Sequence, residues 1–242
     1  MIEIKGLRKS FNGLEVLKGV NLTIPADKIT FIMGQSGTGK SVLIKHIVGL
    51  IKPDSGEIWF EGKDLTKLSE RELQKVRRKI GFLFQEGALF DSMTVGENVA
   101  FPLIEHFKLS KKEIAEKVRE LLSAVELLEF KDKYPSELSG GMKKRAALAR
   151  TLALQPQVVL FDEPTTGLDP ILQITILDLI KGLKERYHLT CVIISHDVTL
   201  AFKFADYIAF LHQGIILKEG TPEEIKESSD PFVQKFIKSA LI

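Results

Sequence analysis

The run Gly34-Gln35-Ser36-Gly37-Thr38-Gly39-Lys40-Ser41 constrains this chain more than any other stretch of it. It follows an apolar strand candidate, Thr30 to Met33, and leads into a helical pattern beginning near Lys40. The run fits G-x-x-x-x-G-K-[S/T] completely and stands in the strand-to-helix setting that the motif requires. Glycines suit the place because a polyphosphate must be approached by bare backbone N–H groups, and a loop wraps that closely only where Cβ atoms are missing. The following helix aims its positive end at the same point. On this reading Gly34, Gln35, Ser36, Gly37, Thr38 and Gly39 cradle the phosphates of ATP. Lys40 reaches the outer phosphates as a point charge, and the Ser41 hydroxyl supplies one oxygen to Mg²⁺.

A chain of 242 residues has room for one domain with a sizeable core. Its 44% apolar and 27% charged residues fit a folded globular protein and exclude a disordered one. The net charge of +2 gives no reason to expect nucleic-acid binding. The lone Cys191 excludes a disulfide scaffold and cannot complete a zinc site alone. Apolar runs such as Leu43 to Ile51 stop far short of the roughly 20 residues a bilayer span needs, and no basic-then-apolar leader opens the sequence. Neither insertion nor secretion is therefore expected.

Around the cradle, the first sixty residues read mostly as short strands, with Ile2 and Ile4 alternating with polar residues and Asn12-Gly13 marking a turn. That predicts an antiparallel lobe. From Ser69 to Phe130 the character is helical, and Ser69/Glu72 and Ser110/Glu113 are spaced as capping boxes. After the second, Ile114, Val118, Leu121, Leu122, Val125 and Leu128 recur at helical spacing. Beyond Gly141 come a helix to about Leu154, a strand at Val158 to Phe161, a helix near Leu172 to Arg186 and a strand at Cys191 to Ile194. Continuous apolar strands between helices imply an α/β fold whose core sheet is mostly parallel and covered on both faces. We expect a single domain over 1–242, with a core at about 1–85 and 155–228, a helical subdomain at about 86–154 and a tail at about 229–242.

The strand at Val158 to Phe161 delivers Asp162 and Glu163 at its carboxyl end, where open α/β sheets place their ligands. Adjacent acids point different ways. Asp162 is assigned to the Mg²⁺ shell and Glu163 to orienting or activating the attacking water, the alternative being a pair that caps a helix. Ser195-His196-Asp197 invites a hydrolase triad, but successive residues cannot turn onto one another in that line. His196 alone, at a strand end, could bond a γ-phosphate oxygen; His46, His106, His188 and His212 have no motif context. Ser139-Gly140-Gly141 precedes another helix, so it reads either as an ordinary cap or as a second phosphate sensor built of a hydroxyl, amides and a helix dipole.

The set GQSGTGKS, Gln85 after Phe82-Leu83-Phe84, LSGGM, VVLFDEP, Thr166-Gly167-Leu168-Asp169 and His196, in that order, resembles the ATP-binding cassette (ABC) ATPases over nearly the full chain. The resemblance implies a P-loop fold and a head-to-tail homodimer binding two ATP molecules. Ser139, Gly140 and Gly141 of one chain would close over the P-loop of the other. It further implies that Phe11 stacks on adenine, that Gln85 touches Mg²⁺ and relays to a partner, and that Asp169 shapes the dimer seam. One departure is Met142, where the signature usually ends in Gln; since Ser139 and backbone amides do the phosphate work, activity is expected to survive it. The cluster Lys143-Lys144-Arg145 on the signature helix reads as a solvated face.

An ABC cassette passes its closing motion to a polytopic permease, here expected against Glu86 to Phe101. That segment, LSGGM and the ending Asp230-Pro-Phe-Val-Gln-Lys-Phe are similar to the Mla/Mce branch, whose members energise phospholipid movement between bacterial inner and outer membranes. The branch implies a peripheral subunit on the cytoplasmic face of the inner membrane, with an Mce-domain substrate-binding protein and a small accessory subunit as further partners, and no nucleic acid. Methionine import and lipoprotein release remain open, as does a soluble cassette of iron–sulfur assembly, DNA repair or translation. Phe232, Phe236 and Ala240, with Val233, Ile237 and Leu241, form an apolar stripe that either packs on its own chain or docks on the second subunit.

Overall fold

The computed structural model describes residues 1–240. In chain order its elements are β1 (Ile2–Phe11), β2 (Leu14–Ile24), β3 (Ile29–Met33), α1 (Lys40–Ile47), β4 (Ser55–Phe60), β5 (Lys63–Asp64) and α2 (Glu70–Arg77). There follow β6 (Ile80–Leu83), α3 (Val95–His106), α4 (Lys111–Ala124), α5 (Gly140–Leu152), β7 (Val158–Asp162) and α6 (Pro170–Tyr187). Last come β8 (Thr190–Ser195), α7 (Val198–Phe204), β9 (Tyr207–His212), β10 (Ile215–Gly220), α8 (Pro222–Lys226) and α9 (Pro231–Ala240). They form two compact units, one of Met1–Arg77 with the residues from Thr190 onward and one of Arg78–Leu189.

In the first unit the expected antiparallel lobe is a sheet of order β2-β1-β4-β5. Ile2 stands opposite Ile24 on one side and Phe60 on the other, so alternating apolar residues meet on one face. A second sheet runs β10-β9-β3-β8, with β3 parallel to both its neighbours and β9 antiparallel to β10. Every residue of β3 and β8 is buried, which explains why these strands read as unbroken apolar runs.

The tail helix α9 packs against that second sheet. Phe232 stacks on His212 with ring centroids 3.7 Å apart, Phe236 meets Phe210 edge-on at 5.3 Å, and Val233 and Ile237 are buried. Self-packing is thus the reading borne by the described part of the stripe, although Phe232 and Phe236 each keep part of their surface exposed. Leu241 and the side chain of Ala240 lie outside the described residues.

On α1, His46 is 2% exposed and its Nδ1–H donates to the Val42 carbonyl at 2.7 Å. Burial pushes its pKa below the usual histidine value of 6.5. A depressed folded-state pKa means the stabilisation is complete above the unfolded value and is lost as pH falls through it toward the folded one. The melting temperature should therefore drop between about pH 7.5 and about pH 5.5, and drop less in His46→Gln. Thermal melts of both proteins at the two pH values check this; equal drops would remove His46 as the cause.

The second unit holds the parallel pair β6 and β7, with Ile80 opposite Val158 and Leu83 opposite Phe161. Here the helical reading of Ser69 to Phe130 needs correcting: Ile80–Leu83 is a strand, too short to show a period and made by its pairing with β7. Ser110 and Glu113 form the full capping box of α4. At Ser69 the Glu72 carboxylate takes the amide and the hydroxyl, while the Glu72 amide bonds the Ser69 carbonyl instead of its hydroxyl. On and after α4, Leu121, Leu122 and Val125 are buried as expected, but Leu127 is buried instead of Leu128 because the helix has ended at Ala124. Among the described residues no helix is long and apolar enough to cross a membrane.

Candidate nucleotide site

The sequence-derived residues fall into both units. Phe11, Gly34 to Ser41 and His196 belong to the first; Gln85, Ser139 to Gly141, Asp162, Glu163 and Asp169 belong to the second.

In the first unit, Met33 at the end of β3 stands opposite Ser195 at the end of β8, so Gly34 and His196 leave adjacent parallel strands at their carboxyl ends. The cradle tolerates no side chain at its ends. A Cβ on Gly34 would lie 2.2 Å from the Leu211 carbonyl oxygen of β9, and one on Gly39, whose φ is +98°, would lie 2.9 Å from Val16 Cγ1. Lys40 is only 5% exposed and its ammonium donates to the carbonyls of Gly34 at 2.9 Å and Gln35 at 2.8 Å, so the cation sits folded into the loop. Ser41 follows in the first turn of α1.

Helix ends indicate where an anion fits. The starts of α2, α3, α4 and α8 carry glutamates in the first turn, and those of α6, α7 and α9 are capped by Asp169, Asp197 and Asp230. By contrast, α1 starts at Gly39 and α5 at Ser139, with no acid in either first turn. These two positive ends, both at the glycine motifs, are the ones among the described helices that no carboxylate of their own offsets. The donor chemistry there fits a phosphate-bearing ligand.

In the second unit, Asp162 ends β7 and is 7% exposed. Glu163 adopts φ +49°, a left-handed conformation uncommon for a residue with a side chain, and so turns the chain sharply off the strand. The Thr166 hydroxyl donates to Glu163 Oε2 at 2.8 Å. Ser139 accepts from the Met142 amide at 3.3 Å, and Asp169 accepts from the Ile171 and Leu172 amides at 3.0 Å each. Both residues are therefore caps in this chain, whatever else they bind.

The solvated-face reading of Lys143-Lys144-Arg145 is corrected here. Lys144 is half-buried and its ammonium donates to the Thr166 carbonyl at 2.8 Å, while Arg145 reaches the Val125 carbonyl and Glu126. Burial pushes the Lys144 pKa down, opposed by the charges of Glu86 and Glu163.

Ser195 and Asp197 do not line up with His196 as a triad: Ser195 is buried and accepts from the Asp197 amide at 3.0 Å, and Asp197 caps α7 through the Leu200 amide. His196 itself is exposed. Phe11, at the end of β1, is 41% exposed with the Lys9 ammonium 5.4 Å from its ring centre, a flat apolar surface of the kind a base can stack on.

Gln85 follows β6 on an exposed segment. Two residues that no motif marked shape that segment. Arg150 of α5 donates to the carbonyls of Gly87 at 2.9 Å and Ala88 at 2.8 Å and covers Phe90. Asn98 is fully buried; its carbonyl oxygen accepts from the Phe90 amide and its NH₂ reaches the carbonyls of Phe90, Met93 and Thr94. Only their polarity on otherwise apolar helix faces could have pointed to them.

A mostly parallel α/β fold with a glycine cradle running into α1 and an acid-ended strand defines a P-loop ATP hydrolase. The chain belongs to the ABC transporter family, whose sequence model matches residues 17–166. Among its relatives is the intermembrane phospholipid transport system ATP-binding protein MlaF of Haemophilus influenzae, 45% identical over 98% of this chain and 90% of that protein. The "Probable ribonucleotide transport ATP-binding protein mkl" of Mycobacterium leprae is 42% identical over 98% of this chain and 68% of that protein. A dimeric post-hydrolysis ATP-binding cassette bound to ADP and Pi superposes with a TM-score of 0.84 at 36% identity, covering 92% of this chain and 99% of that one.

Proposed function

We propose that this ATP hydrolase works as a peripheral homodimer on the cytoplasmic face of the bacterial inner membrane, driving a polytopic permease that moves phospholipid between inner and outer membranes. The observation that carries the cargo is the 45% identity to MlaF of Haemophilus influenzae over 98% of this chain. The mkl relative is less similar and matches over a smaller share of its length, so its printed ribonucleotide cargo is the second reading. An Mce-domain protein and a small accessory subunit complete the proposed assembly.

In this reading the amides of Gly34 to Gly39 and the Lys40 ammonium take the phosphates, Phe11 the adenine and His196 a γ-phosphate oxygen. Ser41, Asp162 and Gln85 are the residues for Mg²⁺, an oxygen donor set that suits it because the ion keeps waters and takes phosphate oxygens as well. Bound Mg²⁺ would neutralise charge gathering on the transferred phosphoryl group. Glu163 orients the attacking water and accepts its proton. Ser139, Gly140 and Gly141 serve the partner's nucleotide, and Asp169 stands at the seam. What supports this division is the pair of helix ends without carboxylates at the two glycine motifs.

The test is purification of the full chain with whatever multispanning protein accompanies it, reconstitution in vesicles, and measurement of ATP-dependent transfer of a fluorescent phospholipid to acceptor vesicles. Transfer that stops without ATP is expected. ATP-driven uptake of methionine or a ribonucleotide with no lipid transfer would replace the cargo, and absence of any membrane partner would return the soluble classes.

A further inference from the structure

We propose that Lys144 is a positioning residue that sets the Glu163 carboxylate through Thr166; this rests on the water-orienting role proposed for Glu163. From the second turn of α5, the Lys144 ammonium donates to the Thr166 carbonyl at 2.8 Å, and the hydroxyl of the same threonine donates to Glu163 Oε2 at 2.8 Å. The Thr166 amide also donates to the Glu163 carbonyl at 3.3 Å, closing the turn that follows β7. Glu163 sits at φ +49°, so local preference does not hold this turn and its surroundings must.

A lysine on an ordinary solvated face buries its stem and keeps its charged head in water. Lys144 is half-buried with its head on a backbone carbonyl instead, and the negative charges of Glu86 and Glu163 act on it. Because Lys144 is five residues on from Ser139, the cap of α5, a displacement of this helix pulls directly on Thr166 and so on the carboxylate it orients. Lys144 thereby ties the helix of the second glycine motif to the acid at the end of β7.

The experiment uses the full chain with its membrane partner and the variants Lys144→Met, Lys144→Arg, Thr166→Val, the double variant, and Glu163→Gln. In Lys144→Met, kcat should fall about tenfold or more, since a displacement near 1 Å of a catalytic group can cost about a hundredfold, while KM and equilibrium ATP binding stay within about twofold. Amide hydrogen exchange over residues 163–168 should speed up with or without nucleotide, and Lys144→Arg should restore most of kcat. The double variant should lose no more than the worse single variant, because both act on one chain of contacts. If Lys144→Met does not fold, Lys144→Leu, which also lacks a donor for the Thr166 carbonyl, takes its place with the same expectations. Unchanged kcat and exchange in the lysine variant, or losses that multiply in the double variant, would overturn the proposal. Turnover lost in Glu163→Gln but kept in Lys144→Met removes the role of Lys144 alone; turnover kept in Glu163→Gln removes both roles.

Discussion

Glu163→Gln should bind ATP within about twofold of the parent and hydrolyse it roughly 10²- to 10⁴-fold more slowly, the span that general-base catalysis ordinarily supplies. The substitution is nearly isosteric, and the amide oxygen can still accept the Thr166 hydroxyl that now meets Glu163 Oε2 at 2.8 Å, so the turn after β7 is kept. What is lost is a carboxylate able to take a proton from water. Binding without turnover should also let the ATP-bound homodimer accumulate, which sedimentation with and without nucleotide measures. Undiminished hydrolysis in the variant would end the assignment of Glu163.

The second large effect concerns binding. Lys40→Ala should weaken ATP affinity roughly 10- to 100-fold, matching the loss of about 1.5–3 kcal/mol that hydrogen bonds to a charged group carry. The ammonium is at present folded onto the carbonyls of Gly34 and Gln35, so the same contacts that would pass to phosphate oxygens also hold the loop's shape. Equilibrium binding of a fluorescent ATP analogue reads the change, with circular dichroism confirming that the fold persists. Parent-like affinity would reject the cradle as the phosphate site.

The two residues differ in how they could be found. Lys40 lies within an eight-residue run whose chemistry is local: a strand, a tight loop of glycines and a helix start, all contiguous. The place of Glu163, just past the end of a strand, was legible because an unbroken apolar run ended in acids. Lys144 was not, since it sat in a basic cluster whose neighbours suggested water, and its partner carbonyl is 22 residues away in the sequence. Arg150 grips carbonyls 62 and 63 residues before it, a separation that no motif records.

The amino-acid order by itself determined the short-range matters: the glycine loop between β3 and α1, the acid-ended strand, the full capping box of α4, and the α/β class that unbroken apolar strands imply. These rest on periodicity and on φ/ψ preferences of neighbouring residues, which a linear reading contains. Tertiary structure alone decided that Ile80–Leu83 is a strand, that Gly34 must yield to the Leu211 carbonyl, and that Phe232 belongs to His212 of its own chain. It also decided that Lys144 faces Thr166. Each of these depends on which backbone or ring arrives from far along the chain, and burial gives such contacts their strength without leaving a local mark.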